Sequence, residues 1–247
     1  MEVHPHTHTP RKKFTHYLWE FLMLFLAVFC GFLAENQREH IVEHKKEKEF
    51  ILSICQDLKF DTTLLNYLTK WRQEQMTKTD SLLYYLNMQD PDKYGKFIYY
   101  YARPLTNRAV FYSNDRTIQQ LKNAGNLRLI RHQDASDSIM EYDWQVRRNE
   151  LTKDREETFI LEYIETVKQL LDGNEFEKMM TPSSPRNWKW PSGNPHLLHK
   201  DKESIQKLIN DLHFMKTINV LSIGWNKDMI DRALRLLILL KKEYHLQ

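Results

Sequence analysis

The fold is decided by residues 14–34, FTHYLWEFLMLFLAVFCGFLA, and by the residues that follow them. The run from Phe21 to Ala34 is apolar throughout, and the whole segment rises about 30 Å as a helix, the thickness of a bilayer's hydrocarbon core. From Phe32 to Asp90 the chain has no glycine and no proline, so no strong helix breaker interrupts it. We therefore predict a transmembrane helix over residues 14–34 that continues into a long helix outside the membrane.

The charges beside this segment predict its orientation. Three basic residues, 11–13 (RKK), precede it with no acid beside them, whereas only Arg38 lies at short range on the far side. Basic residues close to a span tend to stay in the cytoplasm. Residues 1–13 are therefore expected to form a cytoplasmic tail. Residues 35–247 are expected to form a periplasmic domain of a single-pass protein of the plasma (inner) membrane.

A cleaved signal peptide is the alternative, because the strictly apolar run is short for a membrane span. Cleavage requires small residues at the −3 and −1 positions. A cut after Ala34 places Phe32 at −3, and a cut after Gly31 places Phe29 there. Phe29 also precedes Cys30, which is unsuitable for a lipoprotein site. These flanks favour an uncleaved anchor.

Composition limits the remaining possibilities. At 41% hydrophobic and 12% aromatic residues, the chain outside the anchor can bury a core. The formal charge of +3 is small, and no basic stripe is interleaved with aromatic residues, so no nucleic-acid partner is expected. Cys30 and Cys55 stand on the same predicted helix about 37 Å apart, too far for a disulfide.

Beyond the anchor, apolar residues recur at three- and four-residue spacing, which is typical of an all-α protein. Residues 35–49 are mostly charged and predict a solvated neck. A packed stripe is then expected at Ile51, Ile54, Cys55, Leu58, Leu65, Leu68, Trp71, Leu82 and Leu86. A second long helix should reach Gly173, and a third should cover residues 201–244, with Gly224 kinking or dividing it. We predict an antiparallel bundle of about three long helices and one short one, with coiled-coil-like packing.

Shorter elements follow from local signals. Ser113 or Asn114 is a suitable N-cap for a short helix over residues 115–124. Gly125 stands where a left-handed C-cap is needed. Residues 88–108 contain prolines, a glycine and an aromatic run, and they predict a loop at the end of the bundle with one short extended piece.

One short motif suggests metal chemistry. His40, Glu43 and His44 match H-x-x-E-H, in which two histidines on one helix face bind zinc and the glutamate acts as a base. The motif lies in the charged neck, and no second motif offers a third ligand. Two solvated histidines are the favoured interpretation, and a zinc-dependent hydrolase is the alternative.

Three further features have open roles. Glu20 lies near the membrane interface, where it can reach headgroup water or act as a functional intramembrane carboxylate. The tyrosines Tyr99 to Tyr101 form either a binding surface or packing over the bundle end. Trp188 and Trp190, in the proline-rich connection 173–195, either return to the lipid interface or pack beneath their own loop.

The stretch LKNAGNLRLI, residues 121–130, carries a family resemblance together with Tyr142. It resembles the central L-K-N-x-G-N-L-x-L-I motif of an uncharacterised family of single-pass bacterial membrane proteins with an N-terminal anchor. The anchor is similar as well, with Glu20 and Gly31 within it and the polar pair at 35–36 after it.

The resemblance extends to residues 47–50 and 57–58, which are similar to the helix that follows the family's anchor. The chain departs from the pattern after His132, where residues 134–137 are more acidic, and in a longer aromatic loop. The resemblance implies a helical extracytoplasmic domain with no known activity, and it transfers no catalytic residue.

These observations favour a protein that is not an enzyme, because no nucleophile motif, phosphate-binding loop or clustered ligand set stands out in residues 35–247. We expect a membrane-anchored interaction, scaffold or sensor module with no catalytic, cofactor-binding or metal-binding residue. Its expected partners are membrane lipid, a second copy of the chain or an envelope protein. A ligand-binding bundle that uses the tyrosine-rich end is a further hypothesis.

Overall fold

The computed structural model describes residues 14–181 and 184–246, with the side chains of 150–152 and 184–187 excepted, so the expected cytoplasmic tail lies outside it. It is 82% helical, which confirms the all-α class. Its α-helices are α1 (Phe14–Leu86), α2 (Gly95–Ala102), α3 (Arg116–Asn123), α4 (Gln133–Leu170), α5 (Gly173–Lys178) and α6 (Lys202–Glu243). Three 3-10 turns cover Pro91–Tyr94, Arg103–Thr106 and Asn126–Leu129, and strands β1 (Met180–Thr181) and β2 (Ser184–Trp188) pair antiparallel.

The prediction of one unbroken helix from the anchor onward is confirmed. Helix α1 runs for 73 residues and ends at Leu86, shortly before the first proline that follows it, Pro91. Propensity alone does not hold so long a helix, since most helical stability in proteins comes from packing. The two parts of α1 are therefore considered separately.

The chain divides into two compact units, Met1–Glu49 and Phe50–Gln247. In the first unit, the described residues belong to α1, and their apolar side chains face outward; Leu24, for example, is 68% exposed. An 18-residue window of α1 has a mean hydropathy of 2.0 and no buried residue, so this helix is long and apolar enough to cross a membrane. Contact with water is unfavourable for such a surface, and a hydrocarbon environment removes that cost.

The second unit is built on two apolar clusters. The first joins α1, α3, the start of α4 and the end of α6, with fully buried side chains at Ile51, Leu65, Leu121, Ile139, Met229 and Leu240. The second joins the end of α1, α2, the end of α4 and the start of α6, with fully buried side chains at Leu82, Ile98, Tyr99, Tyr163, Leu170 and Leu208. Helices α1 and α4 thus run in the same direction, and α6 runs antiparallel to both.

The direction of α4 follows from the segment before it. This segment leaves the second cluster with α2 and reaches the first cluster with α3. Helix α4 therefore starts at the first cluster, and the connection to α6 lies at the α2 end of the bundle. Of the two alternatives for residues 173–195, the return to the end at which α1 enters this unit is wrong, because Trp188 packs against the second cluster. The structure therefore gives no geometric reason to place Trp188 and Trp190 at a lipid interface.

Several local expectations are corrected. Residues 88–108 contain helical turns and α2 instead of an extended piece. The short helix α3 is confirmed, but its N-cap position is Asp115, without a side-chain cap bond. Gly125 adopts the expected left-handed conformation, with φ of 64°. Helix α6 passes through Gly224 without a break.

A hydrogen-bonded clasp around Asp92 fixes the connection at the α2 end. The Asp92 carboxylate accepts bonds from the Lys200 ammonium (2.8 Å), the Leu197 amide (2.8 Å) and His196 Nδ1 (2.7 Å). Burial opposes ionisation, but these donors outweigh it and lower the pKa of Asp92 to about 2. Beside the clasp, Gly95 lies so close to the Pro195 carbonyl that the chain can pass only without a side chain there.

Candidate binding site

A polar layer separates the two apolar clusters of the second unit. It consists of side chains that stand between the cluster residues along each long helix: Arg72 and Gln75 on α1, Glu156 on α4, and Asn219 and Asn226 on α6. Burying polar groups is unfavourable unless they find partners. Because the bundle keeps these groups inside at that cost, the layer is the candidate for a function beyond packing.

The ion pair between Arg72 and Glu156 forms the centre of the layer. Arg72 Nη1 and Nη2 donate to the two carboxylate oxygens of Glu156, each at 2.9 Å, and Nη1 also donates to Asn219 Oδ1 at 2.9 Å. The side chains are only 6% and 12% exposed. A bidentate pair of this kind fixes the register of α1 against α4 and α6, although desolvation offsets much of its attraction.

Gln75 lies one turn beyond Arg72, and its Oε1 atom is buried without a hydrogen-bond partner among the described residues. It is 4% exposed, and its side-chain amide makes no hydrogen bond to any described residue. The residue lines a cavity of about 20 Å³, which is room for about one water molecule, and also a much larger groove. Because a buried amide without partners is costly, its position beside open space indicates a binding group.

The larger opening, called here the waist groove, has a volume of about 760 Å³. The lining comes from α1, from the second 3-10 turn with the residues after it, and from Trp188 of β2. It includes Tyr67, Trp71, Gln75, Lys78 and Asn107. Volumes of this order are typical of small-molecule sites. Trp71, expected in the packed stripe, is half-buried and faces this groove.

A second polar cluster is closed and structural. Asp61, which is fully buried, accepts bonds from Ser113 Oγ (2.5 Å), the Asn114 amide (2.8 Å) and the Tyr142 hydroxyl (2.8 Å). Asp57 accepts a bond from Asn114 Nδ2 at 2.6 Å. Burial raises the pKa of the Asp61 carboxyl despite these donors, and burial together with the Asp61 charge raises the pKa of the Tyr142 phenol. The cluster holds the segment before α3 on α1, and both of its carboxylates accept hydrogen bonds from described residues.

Among the described residues, no third ligand accompanies His40 and His44 in the hypothetical zinc site. His40 and His44 are exposed on α1, and His44 Nδ1 lies 3.4 Å from a carboxylate oxygen of Glu47. The described residues contain no group of three or more His, Cys, Asp or Glu side chains that could hold a metal ion. Glu43, the expected base, lies on the same helix within the first unit.

Glu20 has a partner on its own helix. His16 Nε2 lies 3.2 Å from Glu20 Oε1, one turn earlier along α1, and both side chains are about half exposed. This pairing is compatible with a carboxylate near the membrane interface, and the functional role of Glu20 remains a prediction.

The tyrosine-rich end is mostly packed. Tyr99 is fully buried, donates its hydroxyl hydrogen to the His196 carbonyl (3.0 Å) and accepts a bond from the Asp172 amide (2.7 Å). Tyr100 stacks on Trp190 with ring centroids 3.6 Å apart. The guanidinium of Arg103 lies 4.3 Å from the Trp188 ring centroid. The aromatic residues of α2 and of the connection therefore cover each other.

Sequence reasoning missed Arg72, Gln75 and Glu156. A signal was present on α1: Leu68, Arg72, Gln75, Thr79 and Leu82 continue the core spacing of three and four residues without interruption. A stripe chosen by hydrophobicity selects Trp71 instead. The partner Glu156 lies 84 residues from Arg72, and no local pattern connects the two.

Comparison with known proteins gives no further assignment. No protein-family model matches the chain. No curated protein and no solved structure matches it either.

Proposed function

We propose that this chain is a membrane-anchored, non-catalytic binding module of the plasma membrane, with its helical bundle on the extracytoplasmic side. The observation that carries the proposal is α1 itself, whose apolar, exposed segment continues covalently into the helix that contributes to both apolar clusters. The basic residues 11–13 support the orientation. Interaction, scaffold and sensor roles share this architecture and differ in their partner.

The family resemblance belongs to the same proposal. Within residues 121–130, Leu121, Leu129 and Ile130 are buried, and Gly125 supplies the left-handed turn between α3 and the following 3-10 turn. Tyr142 bonds to buried Asp61. The residues of the motif thus serve packing and the turn. Such roles are what we expect of a family whose members share a fold and have no assigned reaction.

Membrane extraction and a topology reporter test the anchor. We expect the full chain to stay in the membrane pellet at alkaline pH, and a variant with Leu24→Arg and Val28→Arg to be released, because charged residues at a span centre oppose insertion. A matched control places two arginines at the exposed positions Gln73 and Thr77. A fusion of alkaline phosphatase to the C-terminus should be active. Release of the parent chain, or an inactive fusion, would contradict the proposal.

Proximity crosslinking of the full chain in its native membrane tests the binding role. Recurrent crosslinks to one set of envelope proteins would support an interaction module, and crosslinks confined to the chain itself would identify a homo-oligomer. A pattern equal to that of an unrelated protein carrying the same anchor would refute the binding role.

A further inference from the structure

The waist groove contains polar side chains that no described residue satisfies. Besides the buried Gln75 amide, the side chains of Glu74, Lys78 and Asn107 line the groove and make no hydrogen bond or ion pair within the described chain. Glu74 and Asn107 are exposed, and Lys78 is half-buried. The groove therefore offers a carboxylate, an ammonium and two amides, none of which is bonded to another side chain of the described part of the chain.

The charge of these groups favours a neutral ligand. Glu74 and Lys78 carry opposite charges one turn apart on α1, and the guanidinium of Arg108 is already engaged by Glu157 at 2.8 Å. With no excess of either sign, the lining lacks the cluster of cations that phosphate or carboxylate ligands require. The lining also mixes these polar groups with apolar residues, namely Leu64, Leu68, Pro104, Ala109 and Val110, so it is not the uniformly apolar wall that would suit a lipid tail.

The aromatic residues define the shape of the ligand. Tyr67 and Trp71 stand one turn apart on α1, and Trp188 of β2 also lines the groove. Aromatic faces are electron-rich and attract the weakly positive C–H groups of a flat apolar surface. The lining along α1, from Leu64 to Lys78, extends about 21 Å, which suits a linear ligand better than a compact one.

We infer that the waist groove binds a neutral linear oligosaccharide. Sugar rings combine an apolar C–H face with neighbouring hydroxyls that donate and accept hydrogen bonds together. The ring faces would stack on Trp71 and Tyr67, and the hydroxyls would pair with the amides of Gln75 and Asn107 and the carboxylate of Glu74. This inference rests on the proposed binding function and specifies its ligand class.

Calorimetric titration of the full chain tests this assignment. The protein is held in an amine-oxide detergent, because alkyl glycosides carry sugar rings themselves. The probes are cellotetraose, maltotetraose and the β-1,4-linked tetramer of N-acetylglucosamine, with tetraproline as a neutral peptide of extended shape. We expect at least one tetrasaccharide to bind and tetraproline not to bind.

Variants separate the groove from the rest of the surface. Trp71→Ala should weaken binding at least tenfold, and Gln75→Leu about tenfold while retaining the parent melting temperature or raising it. Glu74→Ala, at an exposed position, weakens binding without a folding effect. Tyr84→Ala is the matched control, since Tyr84 is an exposed aromatic residue of α1 outside the groove lining.

Three results would overturn the inference: no binding of any tetrasaccharide, binding that is unchanged in Gln75→Leu and Glu74→Ala, or a preference for tetraproline. The anchor experiments give an independent answer. A chain that stays in the membrane but binds none of the sugars refutes the ligand assignment alone.

Discussion

Replacing Gly95 by alanine should destabilise the bundle, although helix propensity predicts the opposite. Gly95 begins α2, and alanine in a helix is favoured over glycine by about 0.5–1 kcal/mol. The tertiary structure reverses this preference, because a Cβ atom at position 95 would lie 1.8 Å from the carbonyl oxygen of Pro195.

The magnitude follows from the displacement that this contact requires. Carbon and oxygen atoms in ordinary contact lie about 3.4 Å apart, so the carbonyl must move by about 1.6 Å from its present 1.8 Å. Such a movement breaks the neighbouring bonds from the Lys96 amide to Asn194 Oδ1 (2.9 Å), from Asn194 Nδ2 to the Asp92 carbonyl (2.9 Å) and from Tyr99 to the His196 carbonyl (3.0 Å). Three bonds at about 1 kcal/mol each, less the helix gain of about 0.5–1 kcal/mol, leave a loss of about 2–2.5 kcal/mol.

Thermal unfolding of the full chain in detergent, followed by circular dichroism, measures this loss. For a domain of this size, about 1 kcal/mol corresponds to roughly 2–4 °C, so Gly95→Ala should melt about 5–10 °C below the parent. Gly224→Ala is the matched control. Gly224 lies at an exposed position in the middle of α6, and a Cβ atom added there would meet no described atom within 4 Å, so this variant should melt slightly above the parent.

A Gly95→Ala variant that melts at or above the parent temperature, while Gly224→Ala shows its expected gain, would refute the packing of Pro195 against α2. If Gly224→Ala itself lost stability, helix propensity would be the wrong reference for both positions.

Three further changes test other parts of the bundle. Glu156→Gln should lower the free energy of unfolding, measured with denaturant, by about 3–5 kcal/mol, because it leaves the buried Arg72 charge uncompensated. Replacing both residues by methionine should restore most of this loss. Equal stability of Glu156→Gln and the parent would contradict the prediction. The folded-state pKa of Asp92 lies below its ordinary value, so its stabilisation is present above about pH 4 and is lost as the pH falls towards 2. Asp92→Asn should therefore lower the unfolding free energy by about 1–2 kcal/mol at pH 7 and hardly at all at pH 2, and a pH-independent difference would be inconsistent with the clasp. Tyr142→Phe removes one of three donors to buried Asp61 and should cost about 1–3 kcal/mol by the same assay, while an unchanged midpoint would mean that the bond is not made.

The amino-acid sequence determined the parts of this protein that depend on local chemistry. The absence of glycine and proline after Phe32 was sufficient to predict α1, and Gly125 was sufficient to predict the left-handed turn after α3. Apolar spacing predicted α6 nearly to its ends. In each case the deciding interactions lie within a few residues of one another, so propensity and periodicity contain the necessary information.

The tertiary structure alone decided which distant residues meet. It set α4 parallel to α1, packed Trp188 against the second cluster and Trp190 on Tyr100 of α2, and paired Arg72 with Glu156. The candidate site could be predicted only as far as its α1 residues, whose core spacing is visible in the sequence. The rest of the groove lining was not predictable, because the second 3-10 turn, the residues after it and Trp188 reach α1 only through long-range contacts. Such contacts depend on how the whole chain packs, and no local pattern encodes them.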